Sequence, residues 1–67
     1  MIVNKIVWGA IRRRADDGRE FTLASEAGDG PDTVRGLVSL NRDVIPQWHA
    51  ANPLVRVARF RMTELTD

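Results

Sequence analysis

The stretch "IRRRADDGREFTL", residues 11–23, decides how the rest of the chain is read. Its centre, Asp16-Asp17-Gly18, has the chemistry of a three-residue hairpin loop: two right-handed turn residues, then a glycine that can take a positive φ. The runs on either side, residues 11–15 and 19–23, read as strands. With the loop at Asp16-Asp17-Gly18, Ala15 pairs with Arg19. Arg14 then faces Glu20, Arg13 faces Phe21, Arg12 faces Thr22, Ile11 faces Leu23 and Trp8 faces Glu26, because opposite residues share a face.

Working outward, the segment before the hairpin holds Ile2, Val3, Ile6, Val7, Ala10 and Ile11, a spacing that also fits a helix. Its β-branched content, Gly9 in its interior and the loop that follows favour a strand. After the second strand, "EAGDGPD" reads as a solvated loop. "TVRGLVSL" alternates Val34, Gly36, Val38 and Leu40 against Arg35, Leu37 and Ser39, and predicts a third strand. "NRDVIPQWHAAN" changes period, with capping residues at Asn41 or Asp43 and Pro46 in a first turn, and predicts a short helix over about 43–51. The last stretch, "NPLVRVARFRMTELTD", combines a helix-starting Asn52-Pro53 with strand-like Val55, Val57, Phe60 and Met62. The strand is favoured, with a bulge near Ala58-Arg59 that puts these four apolar residues on one face and Arg56, Arg59 and Arg61 on the other.

The expectation is a single α+β domain, 1–67, in the order β-β-β-α-β. Its antiparallel sheet is curled, even barrel-like, over one short helix. A chain of 67 residues buries only about 60% of its unfolded surface, so the core is small. Ile11, Phe21 and Leu23 make one face of the hairpin apolar, and Ile6, Trp8, Ala10 and Ala24 make the other apolar too. One helix covers one face. The other needs sheet curvature, a second copy of the chain in a homodimer, or a different protein.

Composition narrows the function. Without cysteine there are no disulfides, thiolate metal sites or cysteine nucleophiles, which suits a reducing cytoplasm. No apolar run approaches the roughly 20 residues of a membrane span, and the start lacks signal-peptide order. The chain therefore reads as soluble and unexported, with no membrane partner. Its net charge of +1 gives no strong field to steer it to nucleic acid.

The catalytic inventory is nearly empty. His49 is the only histidine and, beside Trp48, reads as a packing or capping residue. Ser25 and Ser39 lack a G-x-S-x-G setting, and Gly28, Gly30 and Gly36 form no phosphate fingerprint. The acids of "EAGDGPD" lack the alternation and closing glutamate of a calcium loop. No enzyme, metal or cofactor is expected.

What remains is binding. Trp8 reads either as core or as an interface anchor, since tryptophan and arginine dominate hot spots. Arg14 with Glu20 is an ordinary exposed pair. Arg12 has only a threonine opposite, and with the last strand beside the first it would join Arg56, Arg59 and Arg61 in one cationic stripe. The expected partner-binding residues are thus Trp8, Arg12, Arg14, Arg56, Arg59 and Arg61. The favoured partner is another protein with an acidic or apolar patch. The chain would then be a regulator, inhibitor or accessory subunit of the kind that short reading frames of phages and mobile elements encode, a comparison that rests on size alone. The alternative is a nucleic-acid-binding domain that holds phosphates on an arginine-lined sheet face. Against it stand the low net charge and only four aromatic residues, none arranged to stack bases.

Overall fold

The computed structural model describes residues 2–66. Strand β1 (Asn4–Arg13) is followed by the two-residue strand β2 (Glu20–Phe21), a single 3-10 turn over Ala24–Glu26, and the two-residue strand β3 (Ala27–Gly28). Helix α1 (Pro31–Val44), helix α2 (Pro46–Ala51) and strand β4 (Leu54–Thr63) complete the chain. The fold is α+β, with a four-stranded antiparallel sheet.

The first and last strands dominate that sheet. β4 pairs antiparallel with β1 from Asn4↔Thr63 to Ile11↔Arg56, so the two ends of the chain lie side by side. β4 occupies one edge of β1 for its whole length, and β2 and β3 therefore share the other edge, at Arg12↔Phe21 and Trp8↔Gly28 respectively. Below Trp8 the sheet is only two strands wide. It does not close into a barrel, because among the described residues β4 pairs with nothing but β1.

The hairpin register differs from expectation by one residue. Arg13 faces Glu20 and Arg12 faces Phe21, while the Arg14 N–H reaches the Arg19 carbonyl at 2.9 Å. The loop is therefore four residues, Ala15 to Gly18. A slip of one exchanges the faces of every residue on the second strand. Gly18 has the expected positive φ, 72°.

The segment expected as a third strand, Thr33 to Leu40, is helical, and the third strand is Ala27–Gly28 instead. Val34 and Val38 fit both periods, but Leu37 and Asn41 join them only at 3.6 residues per turn. Pro31 follows the extended N-cap Gly30 and supplies a helix start without needing an N–H. The helix expected over 43–51 is α2, cut from α1 at Pro46, whose ring disfavours a helical residue before it. Ile45 accordingly sits at φ −130°, ψ 63°.

The bulge in the last strand also lies elsewhere. The register shifts between Ile11 and Arg12, so Val55 is the extra residue and pairing from Arg56 to Thr63 is continuous. Val57, Arg59 and Arg61 thus share one face, and Arg56, Ala58, Phe60 and Met62 the other. The stripe expected from Arg56, Arg59 and Arg61 is split between the two sides of the sheet.

Both helices lie on the face bearing Trp8, Ala10 and Arg12. There Ala10, Val34 and Val38 form the buried cluster, with Trp8 and Val57 packed against it. Among the described residues the opposite face has no helix. Val7 and Ile11 are nonetheless buried. The Phe60 ring lies across the bare backbone of Gly9, where a Cβ would come within 3.2 Å of it and of the Thr22 hydroxyl.

Candidate partner-binding surface

Arg12, which the sequence reading put on an exposed stripe, is fully enclosed. Strand alternation points it to the helix side, where its fork meets Glu26: Nε to Oε1 at 2.7 Å and Nη2 to Oε2 at 2.6 Å. Nη1 donates to the Asn52 carbonyl at the C-cap of α2, at 2.7 Å, where a cation also suits the negative end of a helix. Nη1 also lies 3.2 Å from Nδ1 of His49. The guanidinium lies 4.7 Å from the centroid of the Trp48 ring, which meets Phe21 edge-on.

Glu26 is equally enclosed and also accepts from Nδ2 of Asn41 at 2.8 Å. The hydrogen bond from Arg12 holds its carboxyl below its ordinary range against the opposing effect of burial, with Asn41 adding in the same direction. One buried ion pair therefore ties β1, the turn before β3, α1 and α2 together. Arg12 is an internal clasp, and His49 is part of its packing.

Most other cations are also paired. Arg13 and Arg56 both reach Glu20, at 2.7 and 3.2 Å, and its carboxyl is held low chiefly by the bond from Arg13. Arg14 grips Asp17 within the hairpin loop, which lowers the aspartate and raises the arginine. Arg35 pairs with Asp32 and Arg42 with Asp43. Of ten basic residues, six have a carboxylate within 4.0 Å among the described residues, which leaves Lys5, Arg19, Arg59 and Arg61.

Three of those four lie on the β1–β4 ribbon. Arg59 sits opposite Trp8 with its guanidinium 5.8 Å from the ring centroid, and Arg61 sits opposite Ile6. Trp8 is half-buried, with one part in the core cluster and another toward Arg59. The ribbon exposes Ile6 and Met62, and the residues just before it Ile2 and Val3, each 52–56% accessible. Among the residues expected at a partner site, the structure brings Trp8, Arg59 and Arg61 together, encloses Arg12, ties Arg14 to Asp17 of the hairpin loop and turns Arg56 to the other face.

Other surfaces offer less. A shallow cleft of about 500 Å³ is lined by Arg14, Arg19, Glu20, Phe21, Leu23, Trp48 and Asn52, with no nucleophile beside a base. No group of three metal-binding side chains occurs among the described residues, and no helix is long and apolar enough to cross a membrane. Comparison with protein-family models, curated proteins and solved structures finds no match to this chain.

Proposed function

We propose that this chain is a non-catalytic binding domain that acts by contact with another protein, through the ribbon formed by β1 and β4. The observation that carries this reading is the distribution of apolar surface. Five apolar residues are buried, whereas ten large ones are exposed among the described residues, and four of those ten, Ile2, Val3, Ile6 and Met62, lie at or beside the two-stranded end of the ribbon, with Ile6 on the helix-bearing face and Met62 on the other. A two-stranded ribbon is marginal alone, and apolar side chains exposed on both of its faces are stabilised by a covering partner. The role that fits is a regulator, inhibitor or accessory subunit in the cytoplasm, of the kind that phages and mobile elements encode.

Phosphate binding is the second reading, favoured by Lys5, Arg59 and Arg61, which have no carboxylate partner among the described residues. It is the weaker one, because six of ten cations already have a carboxylate partner among the described residues.

The test is capture of partners from a lysate of the source organism, with and without nuclease, using the parent chain and an Ile6→Ser/Met62→Ser variant of unchanged circular dichroism. The expected result is a protein retained after nuclease treatment and lost with the variant. Capture that disappears with nuclease would overturn the reading.

A further inference from the structure

The β1–β4 ladder determines which main-chain groups of β4 are free. The Glu64 N–H donates to the Val3 carbonyl at 2.9 Å, and hydrogen-bonded and non-bonded pairs alternate along an antiparallel ladder. Counting back along the register, Met62, Phe60 and Ala58 turn their N–H and C=O toward β1. Thr63, Arg61, Arg59 and Val57 turn theirs away from it. No strand among the described residues occupies that outer side. An unpaired row of this kind is a template for another strand.

The side chains along the row say which strand. Arg59 and Arg61 stand two residues apart on the helix-bearing face, and neither has a carboxylate partner among the described residues. Arg56 projects from the other face and shares Glu20 with Arg13. On that same face as Arg56, Phe60 and Met62 form an apolar strip, with Met62 52% accessible. A second copy of this chain is a poor occupant. Pairing β4 with its own counterpart gathers two sets of arginines along one short seam, and like charges facing across strands destabilise the pair.

We propose that the outer edge of β4 binds an extended acidic segment of a partner protein by strand addition. Acidic residues at two alternate positions of that segment face Arg59 and Arg61. Apolar residues at the intervening positions continue the Phe60–Met62 strip. The alternation follows from the two-residue period of a strand, which sets successive same-face side chains on both strands at one spacing. Main-chain bonds supply affinity and the alternating side chains supply specificity, as in other strand-addition complexes. This inference rests on the protein-binding reading.

The experiment uses the full chain and three capped eight-residue peptides: alternating glutamate and valine, a block isomer of the same composition, and alternating lysine and valine. Affinity is read by fluorescence anisotropy and contact by amide hydrogen exchange. The alternating acidic peptide should bind at least tenfold tighter than its block isomer and slow exchange at Val57, Arg59 and Arg61, while Phe60 and Met62 are slow from the start. An Arg59→Glu/Arg61→Glu variant with an unchanged amide spectrum should reverse the preference toward the lysine peptide.

Equal binding of the two acidic isomers overturns the inference. So does protection of the same three amides by rising protein concentration alone, which would make a second copy the occupant. If the peptides fail while a captured protein cross-links elsewhere on the chain, this inference falls and the protein-binding reading stands. If duplex DNA in place of peptide protects these amides, both fall.

Discussion

Arg12 on β1 and Glu26 before β3, fourteen residues apart, form a two-point ion pair from which solvent is excluded on both sides. Every buried side-chain nitrogen and oxygen among the described residues has a partner, and this pair accounts for the most deeply buried of them. Removing one member strands the other charge, which costs about 3–5 kcal/mol. A 67-residue chain has a total stability on the order of 3–10 kcal/mol, so Glu26→Ala should leave a large unfolded fraction at room temperature. Replacing both, as Arg12→Met with Glu26→Leu, should recover much of the loss. Urea denaturation of the two single variants and the double variant measures this. Strictly additive losses would mean the pair is not a coupled unit.

The same carboxylate makes stability depend on pH. Arg12 chiefly, with Asn41, holds the folded Glu26 carboxyl below its unfolded value. A group lowered on folding binds protons more readily when unfolded, so its contribution is fully present above the unfolded glutamate value of about 4.3. It is lost as pH falls through the lower, folded value. Glu20 and Asp17 are lowered too but lie in solvent, so they add little. Stability should be level near neutrality and decline in the acid range, and Glu26→Gln, weaker throughout, should show a flatter acid limb. An acid limb of equal steepness in both proteins would move the cause to another group.

Gly18 closes the hairpin loop at φ 72°, and a Cβ added there would meet no atom within 4 Å. The cost of a side chain is thus purely backbone, on the order of 1–2 kcal/mol for a residue forced into the left-handed region. Gly18→Val should lower the melting temperature by several degrees, and Gly18→Asn by less, because asparagine tolerates that region. Equal melting of Gly18→Val and the parent would contradict the loop geometry.

The parts of this fold that the sequence revealed are those set by local chemistry. Asp16-Asp17-Gly18 announces a turn wherever it sits, the β-branched residues of β1 and β4 announce strands, and Pro46 and Pro53 mark where helices start or stop. The parts it hid depend on long-range choices. Val34 and Val38 satisfy two periods at once, and Pro31 after Gly30 was the signal that separates them. The one-residue slip of the hairpin is set by Ala15 joining the loop, and it exchanged the expected partners of Arg12, Arg13 and Arg14. Glu26 could not be matched to Arg12 because the 3-10 turn over Ala24–Glu26 breaks the ladder count between them. The candidate surface was half visible: Trp8, Arg59 and Arg61 were singled out, but the position of the bulge decides which arginines share a face.

Salt dependence separates the two readings of the ribbon. A protein that neutralises phosphates loses affinity for duplex DNA with a log-log slope of about −0.9 per contact. Only Lys5, Arg59 and Arg61 on the ribbon have no carboxylate partner among the described residues, so phosphate contact there supports a slope of about −3 at most. That corresponds to roughly a 40-fold loss between 50 and 200 mM salt from already weak binding. A slope of −5 or steeper would require paired arginines such as Arg13, Arg14 and Arg56 to leave their carboxylates for phosphate, and the protein-contact reading would then be withdrawn. Contact with a protein predicts the opposite balance. Salt should slow association modestly, while truncating Trp8, once Trp8→Ala is shown to remain folded, should speed dissociation and weaken the complex by about 2 kcal/mol or more.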